Sequence, residues 1–165
     1  MKTVGLDRSV QQSLLDRLID LDPKTTTEAP LSWTRSVQQL KASLRRDLEV
    51  LLNTRRIPTP APEAFEELAQ SLYHFGFPDI TSMGRDSKDV RVRLMRQVEE
   101  TIATFEPRLA SVKVTLAETT EDGKRQLRFL IEGLLRMEPN PEQVVFDTVL
   151  EIASGEYHVK GDAGA

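Results

Sequence analysis

Apolar residues in this chain keep one spacing up to Pro107 and another beyond it, and this single change of period limits the fold more than any other feature. Before Pro107 they recur three or four apart, the interval that lines one side of a helix. Val10, Leu14, Leu15, Leu18 and Ile19 predict a first helix, capped by Asp7 or Ser9 and ended at Asp22-Pro23. Val37, Leu40, Leu44, Leu48, Leu51 and Leu52 predict a second and stronger one, closed by Ile57-Pro58-Thr59-Pro60. A third is expected from Glu63 to Tyr73 with Phe65, Leu68, Ala69 and Leu72 inward, stopped by a turn in which Gly76 supplies a left-handed cap. A fourth is expected from Ser87 to Phe105, with Leu94, Met95, Val98, Ile102 and Phe105 as its stripe.

After Pro107 the residues alternate. Val112, Val114 and Leu116 take one face, and Leu127, Phe129 and Ile131 do so in a second run from Gln126 to Glu132. Between them Thr119 to Lys124 carries the Asp-Gly pair favoured in hairpins. Val144 to Leu150 and Tyr157 to Val159 complete four strands. Helices followed by an antiparallel meander define an α+β domain with helices packed on a small sheet. The pentapeptide Arg-Ser-Val-Gln-Gln occurs at Arg8 to Gln12 and again at Arg35 to Gln39, and is read as two similar helix starts. The organisation expected is an amphipathic arm over residues 1–22, a polar connector over 23–33, the α+β domain over 34–160 and a tail over 161–165.

The residue inventory excludes several chemistries. There is no cysteine, which removes disulfide scaffolds, thiol nucleophiles and thiolate zinc sites, and two histidines (His74 and His158) are too few for a histidine metal centre. No cofactor is expected. No apolar run is long enough to insert in a membrane, and no signal-peptide core opens the chain, so an intracellular domain is expected. A net charge of -4 and a pI near 5.3 argue against nucleic acid as a partner. Lys41 to Arg56 is nevertheless basic and the stretch after Glu138 acidic, which suits docking to different neighbours on different faces.

Glu106 is the one carboxylate that position singles out, at a helix-to-strand junction beside Pro107. Arg108 stands two residues on, where extended chain puts both side chains on one face. An arginine there favours the ionised carboxylate, the wrong bias for a general acid, and no second acid or sugar-stacking aromatic cluster is evident. A structural pair at the end of a helix and a preorganised docking pair remain open on equal terms. No phosphate loop, dinucleotide fingerprint or serine elbow is present.

Four segments in order carry a resemblance. These are Ser13-Leu14-Leu15-Asp16-Arg17-Leu18, the arginine-rich Leu44 to Arg56 ending in Leu51-Leu52-Asn53-Thr54-Arg55, the turn Ser71 to Asp79, and Phe105-Glu106-Pro107-Arg108-Leu109. Together they resemble the TssE family of type VI secretion baseplate subunits and its phage baseplate wedge relatives, with Phe75 and Phe77 where the family has Tyr and Leu. The resemblance implies a non-enzymatic assembly subunit, cytoplasmic at the inner face of the inner membrane. Its implied partners are the wedge subunits TssF and TssG, the sheath subunits TssB and TssC, whose polymerisation it starts, and further baseplate components such as TssK. The family's small sheet is thought to accept strands from the first sheath ring. Partner contact is expected from Leu14, Leu15, Asp16, Arg17 and Leu18 of the arm and from Glu106, Pro107 and Arg108. A peptidoglycan hydrolase and a regulatory anti-adaptor are the alternatives.

Overall fold

The computed structural model describes residues 10, 12–19, 23–24, 32–79, 88–117, 126–152 and 154–162. The elements are α1 (Leu14–Leu18), α2 (Trp33–Asn53), two 3₁₀ turns (Glu66–Gln70 and Leu72–His74), α3 (Lys88–Phe105) and strands β1 (Leu109–Ala117), β2 (Gln126–Leu135), β3 (Glu142–Glu151) and β4 (Glu156–Asp162). The chain divides into two units, residues 1–44 and 45–165, with the boundary inside α2.

In the first unit, α1 is shorter than its apolar period suggested. It begins at Leu14, where Ser13 caps it: the Ser13 hydroxyl accepts from the Asp16 N–H at 3.2 Å, while the expected caps Asp7 and Ser9 lie outside the described residues. Val10 and Gln12 precede the helix and are tied to the first turn of α2. The Val10 N–H donates to Ser36 Oγ at 3.0 Å and the Gln12 side-chain amide donates to the Ser36 carbonyl at 2.9 Å. Gln12, the end of the first pentapeptide copy, is therefore not helical, whereas the second copy lies within α2. Ser36, Val37, Leu40 and Leu44 are buried.

The second unit is built on a meander. The sheet order is β1-β2-β3-β4, antiparallel throughout. Alternate residues of successive strands, Phe129 and Ile131, then Phe146 and Leu150, then Tyr157 and Val159, are buried, as the period of two requires. α3 supplies Leu94, Val98 and Ile102 to the core, and the last turns of α2 supply Leu48, Leu51 and Leu52. The strands run longer than alternation alone marked, since β1 starts at Leu109 and β2 continues to Leu135. The expected Asp-Gly hairpin, at 119–124, lies outside the described residues.

The expected third helix does not form. Its residues make two 3₁₀ turns broken at Ser71, whose hydroxyl donates to the Leu68 carbonyl and accepts from the Tyr73 N–H. Local side-chain bonds of this kind compete with helix continuation. The expected inner face is turned outward as well: Phe65, Ala69 and Leu72 are exposed. Gly76 at the following turn has φ +105°. An added Cβ would lie 2.3 Å from the Thr54 carbonyl oxygen, so the turn presses directly on the chain leaving α2. There the Phe77 N–H donates to the Thr54 carbonyl at 2.7 Å and the Arg56 N–H donates to the Phe77 carbonyl at 2.9 Å.

Candidate functional site

α3 ends at Phe105, and one further helical bond, from the Glu106 N–H to the Ile102 carbonyl at 2.8 Å, brings Glu106 under its last turn. Pro107 has no N–H to continue the ladder, and the Leu109 N–H closes a turn on the Glu106 carbonyl at 3.1 Å. The Arg136 N–H beyond β2 then donates to the Arg108 carbonyl at 2.7 Å, which fixes the backbone from which the guanidinium departs. Phe75 meets the Phe105 ring edge-on at 5.4 Å.

Within this frame Glu106 and Arg108 meet. Glu106 Oε1 accepts from Arg108 Nε at 2.7 Å and from the Arg108 main-chain N–H at 3.2 Å, while Oε2 accepts from Nη2. The Glu106 side chain is 7% exposed and that of Arg108 25%. Nη2 also donates to Asp47 Oδ2 of α2 at 2.7 Å, and the other oxygen of Asp47 accepts from Arg46. The bond to Glu106, opposed by burial and aided by Asp47, raises the guanidinium above its ordinary range, so the arginine is a fixed cation. Among the described residues, Arg108 Nη1 is buried without a hydrogen-bond partner. Pro107 is exposed beside it.

Asp47 was not singled out in the sequence. It lies 61 residues before Arg108, and the only available signal was its place in the arginine-rich segment Leu44 to Arg56. The candidate arm residues belong to the first unit. Leu14, Leu15 and Leu18 are 75%, 64% and 82% exposed, Arg17 is exposed, and Asp16 is held by the Ser13 cap.

Two further groupings surround β4. Glu151, Glu156 and His158 bring potential metal ligands within 4.8 Å of one another at the turn between β3 and β4. Glu151 already accepts from Gln126 Nε2 at 3.3 Å and from the Ser154 hydroxyl at 3.4 Å. A cleft of about 440 Å³ lies between the C-terminal end of α2 and the start of β4, with Phe77 and Tyr157 among its walls.

Residues 38–140 match the model of a family described as baseplate wedge protein gp25. No match is found among the curated proteins. A chain in a solved structure titled "The baseplate complex from the type VI secretion system" is similar at 18% identity, covering 68% of this chain and 94% of that one, with a TM-score of 0.46.

Proposed function

Since the chain belongs to the family of the baseplate wedge protein gp25, we propose that it is a non-enzymatic assembly subunit of a type VI secretion baseplate, joining wedge subunits to the contractile sheath. Three of the four resembling segments, including Glu106-Pro107-Arg108, fall inside the matched residues. The observation that carries the reading is the state of Glu106. Both of its oxygens accept from one guanidinium and its side chain is buried, which leaves it little access to a sugar. That arrangement supports a docking pair over a hydrolase. A rigid, charged pair behind an exposed proline presents a fixed shape to a partner at little entropic cost.

The arm supports the same reading. A short helix with three exposed leucines, anchored through Val10 and Gln12, suits insertion into a groove of TssF or TssG. Each buried leucine would contribute roughly 1.5–3 kcal/mol. The test joins co-purification with TssF and TssG to a peptidoglycan zymogram. Wild type should be captured and should leave peptidoglycan intact, and Leu15→Asp with Leu18→Asp should abolish capture while the fold persists. Hydrolysis that disappears in Glu106→Gln would overturn the proposal, and capture unchanged by the double variant would remove the arm from it.

A further inference from the structure

The turn from β3 to β4 sets two acids against each other. Glu151 ends β3, Glu156 begins β4, and the two are direct partners in the antiparallel ladder. Residues directly opposite share a face of the sheet, and like charges placed so repel. Among the described residues neither carboxylate has an ion pair, since Arg128 and Lys160 both act on Asp147 instead. His158 stands two residues past Glu156 and therefore on the same face. Each of these three side chains offers a ligand atom within 4.8 Å of the other two. From α2, Glu49 adds a further carboxylate, its Oε1 3.8 Å from His158 Nδ1.

The backbone that carries these groups is fixed, while the groups themselves can move. The Gly155 N–H closes the turn on the Glu151 carbonyl at 2.7 Å, with Gly155 at φ +77°. Tyr157, between Glu156 and His158, is held by Asn53, the last residue of α2. That side chain donates through Nδ2 to the Tyr157 carbonyl and accepts through Oδ1 from the Tyr157 N–H, each at 2.8 Å. The Tyr157 ring also meets Phe77 edge-on at 5.5 Å. Glu156 and His158 are exposed and stand in the wall of the cleft at the end of α2.

We propose that Glu151, Glu156 and His158 bind one zinc ion and that the ion clamps the β3–β4 turn. One imidazole suffices where carboxylates supply the remaining ligands, so the shortage of histidine that excludes a histidine centre does not exclude this one. Ligands about 2.1 Å from a tetrahedral zinc stand about 3.4 Å apart, so the donor atoms need to close by about 1.4 Å at most. Exposed glutamate and histidine side chains can make that movement by rotation alone. Three protein ligands leave the fourth position to water. Calcium and magnesium favour larger sets of oxygen ligands, and the imidazole selects against them. Glu49, beside the ring, places negative charge behind the imidazole, as carboxylates do around metal-bound histidine. A shared cation turns the repulsion between Glu151 and Glu156 into attraction across the turn. The site stands apart from the assembly reading above and does not depend on it.

The test uses the full chain freed of metal by a chelator and then dialysed. Calorimetric titration with zinc chloride should find one site, which a tenfold excess of magnesium does not displace. His158→Ala and Glu156→Gln, both exposed positions, should keep the fold by circular dichroism and weaken zinc binding tenfold or more. Zinc should raise the thermal midpoint of wild type and leave that of His158→Ala unmoved. The second histidine serves as an internal control, because His74 Nε2 already accepts from the Ala61 N–H at 3.0 Å. In nuclear magnetic resonance spectra zinc should shift the His158 imidazole signals and leave those of His74 in place. Absence of zinc binding by wild type would overturn the inference. So would undiminished binding in both variants, or zinc shifts at His74 without shifts at His158.

Discussion

Replacing Arg108 by alanine should damage the fold more than replacing Glu106 by glutamine, although the two residues form one pair. Arg108→Ala removes two side-chain donors from a carboxylate that is 7% exposed and leaves it only the main-chain N–H at 3.2 Å. Breaking a buried pair in this way costs about 3–5 kcal/mol. Glu106→Gln leaves the guanidinium with Asp47 at 2.7 Å as counter-charge and keeps a carbonyl oxygen to accept from Nε. Its cost is that of the charge-assisted bond from Nη2, which an amide NH2 in place of Oε2 cannot accept, about 1.5–3 kcal/mol. With a urea dependence of about 2 kcal/mol/M, the midpoint should fall by about 2 M for Arg108→Ala and about 1 M for Glu106→Gln. The double variant should lose less than the sum, because the second change removes a group already stranded by the first. Urea unfolding followed by far-ultraviolet circular dichroism at neutral pH measures all three. Equal losses in the single variants would show that Asp47 does not support Arg108, and strict additivity would dissolve the pair.

Tyr157 is buried with its hydroxyl unpartnered among the described residues, and burial pushes its ionisation upward. A raised folded-state value means that stability is fully present below the ordinary tyrosine range, near 10, and is lost as pH rises through it. Tyr157→Phe should flatten that alkaline loss and be neutral or stabilising by up to about 1 kcal/mol at pH 7, which thermal unfolding at pH 7 and pH 10.5 would check. Asp147, lowered by its bond to Arg128, acts with the opposite sign: its contribution is present above the ordinary aspartate range and lost as pH falls through the folded value. Asp147→Asn should reduce the slope of stability against pH below about 4, and an unchanged slope would refute the role. Gly76→Ala should destabilise by about 2 kcal/mol or more, from the positive φ and the contact with the Thr54 carbonyl, read as a fall in the urea midpoint.

What the sequence made legible follows from how local each cause is. The change of period at Pro107 placed the α+β boundary because helical and extended spacing are properties of neighbouring residues. The proximity of Glu106 and Arg108 could be read for the same reason, being a matter of two positions in extended chain. Asp47 and Asn53 could not, since their partners are 61 and 104 residues away and either would pass for a solvated polar residue on α2. The third helix was misread because Phe65 and Leu72 have helical spacing yet no core to face, so the hydroxyl of Ser71 decided the backbone instead. Similarly, the start of α1 depended on which of several adjacent polar residues capped it, and Ser13 did.

The bond between Asn53 and Tyr157 has a consequence for how the second unit comes apart. A terminal strand with one neighbour in the sheet is ordinarily the first element to open, at a small fraction of the global unfolding free energy. Here β4 cannot peel from β3 without also leaving the last residue of α2, since the Asn53 amide donates to the Tyr157 carbonyl and accepts from the Tyr157 N–H, each at 2.8 Å. The polypeptide between those two residues spans most of the unit, so the tie connects its first structured segment to its last. Opening at the C-terminus therefore costs those two bonds, about 0.5–1.5 kcal/mol each, on top of the ladder to β3, and a strand that sequence order would leave to fray is drawn toward the stability of the core it flanks.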